Sequence, residues 1–197
     1  FYLTASSDAA TNRIKDWRKA ATDGHELGNH TLYHPCDATG EGMSWVKPEY
    51  DLSKYSLLKI QDEIKVCNNY LKAIDGKTKR TFAFTCGHKK VAEGEFIQTL
   101  SNEFIAARTV RGEMHPFDEQ KLMDMDCYSM EGKTGEQMIE LVKQAQKSGK
   151  LLVFLFHGVG GEHSLNVSKE AHSQLVHYLK ENAKDIYIDT MFNVAEH

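Results

Sequence analysis

The chain is short of proline and cysteine, has no long apolar run and concentrates neither sign of charge, and each shortage narrows what it can be. Three prolines in 197 residues leave no Pro-rich linker, and no Ser-rich linker, internal repeat or low-complexity tract is present either. The longest apolar run, residues 151–156, is far shorter than the ~20 residues a membrane-spanning helix needs. No charged-then-apolar leader opens the chain, so it either stays in the cytoplasm or has had a leader removed. Lys and Arg number 24 against 28 Asp and Glu, for a formal net charge of −4, and they are interspersed. That distribution excludes nucleic acid as a partner and suits a neutral or weakly charged ligand.

Four cysteines, Cys36, Cys67, Cys86 and Cys127, are spaced 31, 19 and 41 residues apart. These spacings match neither a Cys-x-x-Cys redox motif nor a Cys-rich zinc module. The four read as reduced and partly buried thiols. In an oxidising compartment Cys36 and Cys86, both placed in loops near the candidate site, are the best pair.

What is present is enough for a core. With 41% hydrophobic and 26% charged residues, the chain reads as a single domain spanning residues 1–197. Strand and helix patterns alternate. Residues 1–4 read as a strand, 9–23 as a helix closed by Gly24, and 52–74 as a long amphipathic helix closed by Gly76. Residues 81–84 then read as a buried strand, 96–103 as a helix, 104–107 as a strand and 136–147 as a helix. A strongly apolar strand over 151–156, a helix over 167–181 with Ser168 as its N-cap, and a last strand over 186–188 complete the pattern. The expectation is an α/β protein with a mainly parallel sheet or barrel.

In such folds sites form where strand ends pass into loops. Three histidine-bearing segments have that placement: Asn29-His30-Thr31-Leu32-Tyr33-His34-Pro35, Thr85-Cys86-Gly87-His88, and His157-Gly158-Val159-Gly160-Gly161. His30 and His34 are four apart, the spacing at which one helical turn brings two imidazoles to one ion, and Pro35 turns the chain out of helix. His157 ends a buried apolar strand and must find a partner or face a cleft. Residues 36–50 form the longest irregular segment. In it Trp45 or Tyr50 can offer an aromatic face to a sugar ring, or Trp45 can simply pin the loop to the body.

Gly-His-Glu-Leu-Gly-Asn-His-Thr-Leu-Tyr-His-Pro over 24–35, Thr-Phe-Ala-Phe-Thr-Cys-Gly-His over 81–88 and Leu-Val-Phe-Leu-Phe-His-Gly-Val-Gly over 152–160 resemble, in order and spacing, the motifs of polysaccharide deacetylases. These are the NodB-homology domains of carbohydrate esterase family four, and the resemblance covers nearly the whole chain. It implies a deformed (β/α) barrel and a hydrolase that removes N- or O-acetyl groups from a glycan. It implies a divalent metal, zinc, with His30 and His34 as ligands, and His157 as the general acid that protonates the leaving group. Asp126 or Asp124 is then the carboxylate that keeps His157 charged, or a solvated loop carboxylate. The implied substrate class places the protein outside the cytoplasm, as a secreted, periplasmic or cell-surface protein.

Two departures from the family stand out. Its Thr-Phe-Asp-Asp-Gly strand, source of the third metal ligand and the base, would precede residue 1. The expectation is therefore a fragment lacking the first barrel strand, with weak metal binding and little activity of its own. The middle motif usually carries an Arg that orients the base, and a Pro before an aromatic and Gly, where Ala83 and Thr85-Cys86-Gly87 stand here. Arg108, closing the strand over 104–107, can supply that guanidinium or serve in a surface ion pair. Cys86, Gly87 and His88 are placed at the substrate, with His88 lining the pocket or facing solvent. Two alternatives remain open: a carbohydrate-binding domain that has kept the fold without catalysis, and a metal-free amidase of related barrel shape.

Overall fold

The computed structural model describes residues 1–97, 102–161 and 163–197. They group into two compact units, the first comprising residues 1–109, 122–124 and 190–197, the second 110–121 and 125–189.

In the first unit, β1 (Tyr2–Leu3), β2 (Gly28–Asn29), β3 (Arg80–Ala83) and β6 (Phe104–Arg108) form a parallel sheet in the order β1-β2-β3-β6. The pairings run through Leu3↔Asn29, Asn29↔Phe82 and Ala83↔Arg108. Parallel order demands crossovers. The first is made by α1 (Asp8–Asn12) and α2 (Ile14–Thr22), the second by α3 (Leu57–Asp75). The helix expected over 9–23 is thus two helices, broken at Arg13, whose φ of −122° and ψ of 32° leave the helical basin. Ser56 caps the start of α3, its hydroxyl accepting from the Lys59 amide, and Gly76 closes it at φ 74°. A short hairpin, β4 (Lys90–Val91) with β5 (Gly94–Glu95), follows β3. The helix expected over 96–103 falls largely on residues 98–101, outside those described.

β3 is buried along its whole length. Phe82 packs edge-on against Phe84 at 5.2 Å and tilts against Phe104 at 5.3 Å between ring centroids, while Ile60 and Ile64 of α3 lie in the same cluster. Each such side chain contributes about 1.5–3 kcal/mol by leaving water. A second cluster gathers Leu3, Leu27, Cys67 and Leu71, with Trp17 of α2 packed on it. The short α6 (Met191–Glu196) packs against β3 and β6.

The second unit is built on α4 (Gly135–Ser148) and α5 (Lys169–Glu181), whose Met138, Val142, Ala171 and Leu175 form its core with Met130 and Val167. A Cβ on Gly135 would lie 1.9 Å from Gln174 of α5, so only glycine permits this approach. Ser168 caps α5 as expected. The apolar strand expected over 151–156 is divided. β9 (Lys150–Leu151) pairs antiparallel with β7 (His115–Pro116), whereas β10 (Phe154–Leu155) pairs parallel with β8 (Tyr128–Ser129). One segment serving two partners on opposite senses must break its ladder between them. Residues 186–188 form no strand; Tyr187 and Ile188 are exposed, and an apolar pattern alone does not build a ladder. The α/β class and parallel sheet are therefore observed, while the pairings among the described residues do not close a barrel.

Arg80 locks the start of β3 to the end of α3. Its guanidinium forks onto Asp75 at 2.7 and 2.8 Å and donates to the carbonyls of Leu27 and Lys77, with both charged side chains only 2% exposed. Burial pushes the Asp75 carboxyl up, but the fork and the Lys77 amide outweigh it and hold it below the usual carboxylate range. Its stabilisation is therefore full above the unfolded value of about 3.9 and is lost as pH falls through the lower folded value. Arg80→Met should strand a buried carboxylate and cost about 3–5 kcal/mol in urea unfolding at neutral pH. The deficit should shrink in acid, as Asp75 protonates in the variant before it does in the wild type.

Candidate metal centre

The carboxyl ends of the parallel strands collect the chemistry of the first unit. His30 follows β2 directly, Thr85-Cys86-Gly87-His88 follows β3, and Arg108 ends β6. His30 and His34 are brought together, their ring centroids 4.7 Å apart and near perpendicular at 80°. The means is not the helical turn expected from their spacing. Residues 30–34 form a loop in which Thr31 and His34 adopt left-handed φ values of 66° and 57°. The α-helical basin is disfavoured before Pro35, and a β-branched residue at positive φ is strained, so the loop must be held from outside.

It is held at nearly every backbone atom. The His30 amide donates to Leu3 O at 3.1 Å, and the amides of Ala5 and Ser6 donate to the carbonyls of Thr31 and Leu32. The Asn29 carboxamide, fully buried, donates to Ile64 O at 2.9 Å and Asn68 Oδ1 at 2.7 Å, and accepts from the Thr31 amide at 2.8 Å. Thr31 Oγ1 accepts from the His34 amide, and Glu63 of α3 accepts from the Tyr33 amide at 3.1 Å. Burial raises the Glu63 carboxyl above its usual range.

Both imidazoles are oriented through Nδ1. His30 Nδ1 lies 2.8 Å from Ala83 O, which can only accept, so it carries the proton. His34 Nδ1 lies 3.6 Å from Cys36 Sγ. Cys36 is joined to Cys86 in a disulfide with Cα atoms 5.9 Å apart, and a disulfide sulfur has no proton to give, so His34 donates as well. Each ring then carries its lone pair on Nε2, the form in which histidine ligates a metal. Among the described residues, no trio of closely grouped ligand atoms contains both histidines.

The disulfide unites the pair read as best placed, while Cys67 and Cys127 are buried thiols; burial pushes the Cys67 thiol up to about 11. Cys86 sits in a tight turn, Thr85–Gly87, with φ 53°. Thr85 Oγ1 donates to Pro35 O, and half-buried His88 accepts the Asp37 amide on Nδ1 at 2.9 Å. His88, half-buried, thus clamps the 36–50 segment through Nδ1.

That segment is a closed loop. Cys36 and Asp51 bridge at its base, with Cys36 N to Tyr50 O at 3.2 Å and Leu52 N to Cys36 O at 2.9 Å. Asp51, buried, accepts from Ser53, Ala38 and Lys54, and the Ser53 hydroxyl and Lys54 ammonium hold its carboxyl far below the usual range. At the tip Trp45 is 59% exposed and its ring lies 6.4 Å from that of His34, while Tyr33 stacks on Tyr50 at 5.1 Å. An exposed indole beside the histidine does not pin the loop to the body. Tyr33 was hidden in the sequence, where it read only as a spacer between the two histidines.

Arg108 is only 6% exposed, so it is not a surface ion pair. Its guanidinium lies 4.8 Å from the Tyr2 ring centre and donates to Thr109 O. In the second unit Asp126 is buried, bonded to Arg111 Nε at 2.5 Å and His115 Nε2 at 2.7 Å. Arg111 and His115 carried no signal beyond their charge. Asp124 belongs to the first unit and pairs with Lys89 at 3.0 Å. His157, two residues beyond β10, is exposed and stacks on His163 at 5.6 Å.

In this α/β unit the ends of parallel strands bring two imidazoles side by side, each contacted through Nδ1. The family model described as polysaccharide deacetylase matches residues 1–98, which supports a partial polysaccharide deacetylase domain of the NodB type in that part of the chain. No curated protein and no solved structure matches the chain.

Because the buried Thr31 amide donates to Asn29 Oδ1, Asn29→Ala should lower stability by about 1–3 kcal/mol. Hydrogen exchange should localise the change, with the Thr31 and His34 amides losing protection while those of α4 and α5 keep theirs.

Proposed function

We propose that the chain is a metal-dependent polysaccharide deacetylase that removes N- or O-acetyl groups from a glycan, with zinc held by Nε2 of His30 and His34. The observation that carries this reading is the paired imidazoles, each with Nδ1 committed as a donor. Bound there, a divalent ion supplies Lewis acidity to an acetyl carbonyl and acidifies a water. The exposed Trp45 ring, with Tyr33 and Tyr50 beside it, offers apolar faces to a pyranose. Cys86, Gly87 and His88 border the same loop and contact the substrate through it. Arg108, buried at the end of β6, orients charge at that strand end. Family motif order supports His157 as the group that protonates the departing amine or hydroxyl, with Asp126 as the carboxylate that keeps it charged.

In this reading residues 1–197 form one catalytic domain of the deformed barrel type, to which the β1-β2-β3-β6 order belongs. A disulfide suits an oxidising compartment, which supports a secreted, periplasmic or cell-surface location. One observation favours a second reading, a glycan-binding domain without catalysis: a disulfide-bonded Cys86 occupies the motif position where the family carries other residues.

Acetate release from acetylated chitin, peptidoglycan and xylan fragments, assayed with zinc, tests the two readings. The enzyme reading expects release that falls at least about a hundredfold in His30→Ala and His34→Ala. Glycan binding without release in any case, weakened by Trp45→Ala, would establish the binder instead.

A further inference from the structure

We propose that Cys36, Cys86 and His34 form a redox-gated zinc site, which captures His34 through Nδ1 when the disulfide is reduced. The proposal concerns the regulation of His34 and stands whether or not the chain deacetylates a glycan.

The three ligand atoms lie within 4.8 Å of one another. A tetrahedral zinc with Zn–S of about 2.3 Å and Zn–N of about 2.0–2.1 Å places sulfur and nitrogen about 3.6 Å apart. His34 Nδ1 and Cys36 Sγ already stand 3.6 Å apart. The two sulfurs must separate to about 3.8 Å, and Cys86 Sγ, within 4.8 Å of His34 Nδ1, must settle at the same sulfur-to-nitrogen spacing, shifts that side-chain rotation supplies.

The backbone does not depend on the disulfide for its place. Cys36 is fixed by the bridge to Asp51 and its two hydrogen bonds, and Cys86 by the Gly87 N to Phe84 O and His88 N to Thr85 O bonds of its turn. Thr85 Oγ1 to Pro35 O and Asp37 N to His88 Nδ1 tie the two segments together independently. Cys86 is half-buried, so an incoming thiolate has a sulfur to attack. The other cluster of three ligand types, Glu113, His115 and Asp126, already carries a resident cation in Arg111.

The chemistry balances with a dithiol as the reductant. Its first thiolate attacks Cys86 Sγ, the S–S bond breaks with its electron pair on Cys36 Sγ, and the second thiol of the reductant resolves the mixed disulfide. The reductant leaves oxidised, and Cys36 and Cys86 leave as thiols. Zinc binding then displaces both thiol protons to solvent. The imidazole of His34 must change tautomer, since Nδ1 takes the metal and Nε2 the proton. The nitrogen that the oxidised protein presents beside His30 is thereby withdrawn, so one side chain serves two mutually exclusive sites.

Cobalt(II) titration of the full chain, oxidised or reduced with a trialkylphosphine, tests this, with zinc competing for the cobalt. The reduced protein should take one equivalent with thiolate-to-cobalt charge-transfer absorption, and bind zinc at least about tenfold more tightly than the oxidised protein. His34→Ala should weaken the reduced site about tenfold, and Cys36→Ser/Cys86→Ser, which retains Cys67 and Cys127, should abolish the absorption. Absorption that persists in the double variant, or is absent from reduced wild type, would overturn the proposal. Loss of far-ultraviolet circular dichroism on reduction would overturn it equally, because the site requires both loops to stay in place. Acetate release by the oxidised protein is a separate readout, so failure of the deacetylase reading is told apart from failure of this one.

Discussion

A single buried carboxamide carries the constraint on which the rest of this site depends. Asn29 ends β2 and spends three hydrogen bonds there, two on α3 and one on the amide of Thr31. Removing any side chain from water costs unless its polar atoms are matched, and here the matching is done by partners in two further segments, α3 and the loop after β2. The result is a junction that orders the strand, the long helix and the left-handed loop together. With Glu63 of the same helix holding the Tyr33 amide, α3 supports the loop at both ends.

That support explains how strained backbone persists where it is found. Thr31, His34 and Cys86 are the three non-glycine residues with positive φ among those described, and all three lie in the His30 to His88 neighbourhood. Such conformations cost of order 1–3 kcal/mol each and survive only when the surroundings over-determine them. The buried Asn29, the Arg80 fork at the base of β3 and the Phe82 cluster beneath supply that determination. What the loop gains is the orientation of two rings, since turning Nδ1 outward toward Ala83 O and Cys36 Sγ is what leaves Nε2 as the basic nitrogen.

Much of this was legible in the residues. The alternation of strand and helix, the capping of α3 by Gly76 and of α5 by Ser168, and the pairing of His30 with His34 all follow from local signals with short-range causes. The cysteines read as reduced thiols, with Cys36 and Cys86 the best pair only in an oxidising compartment; the structure joins that pair and leaves Cys67 and Cys127 as the buried thiols. The shape of the His30 loop did not follow. A spacing of four fits a helical turn and a tight loop equally, and no glycine marks the left-handed positions at Thr31 and His34. The division of residues 151–156 was equally hidden, because apolar character reports burial and says nothing of which partner strand each half will find. Arg108 was placed at the right strand end, but its burial against Tyr2 depends on a residue more than a hundred positions away.

The segment from Cys36 to Asp51 is a lasso, tied at its knot by a backbone bridge, a disulfide and a buried carboxylate, with an indole at its free end. Because the knot closes without help from the tip, the closure cost of a longer noose rises by only about 0.6 kcal/mol for each doubling of its length. Residues between the knot and Trp45 are thus free to vary in number and kind while the histidines below keep their places. The architecture separates what is recognised from what is held, so that new ligand preferences can be tried at the rim without rebuilding the floor.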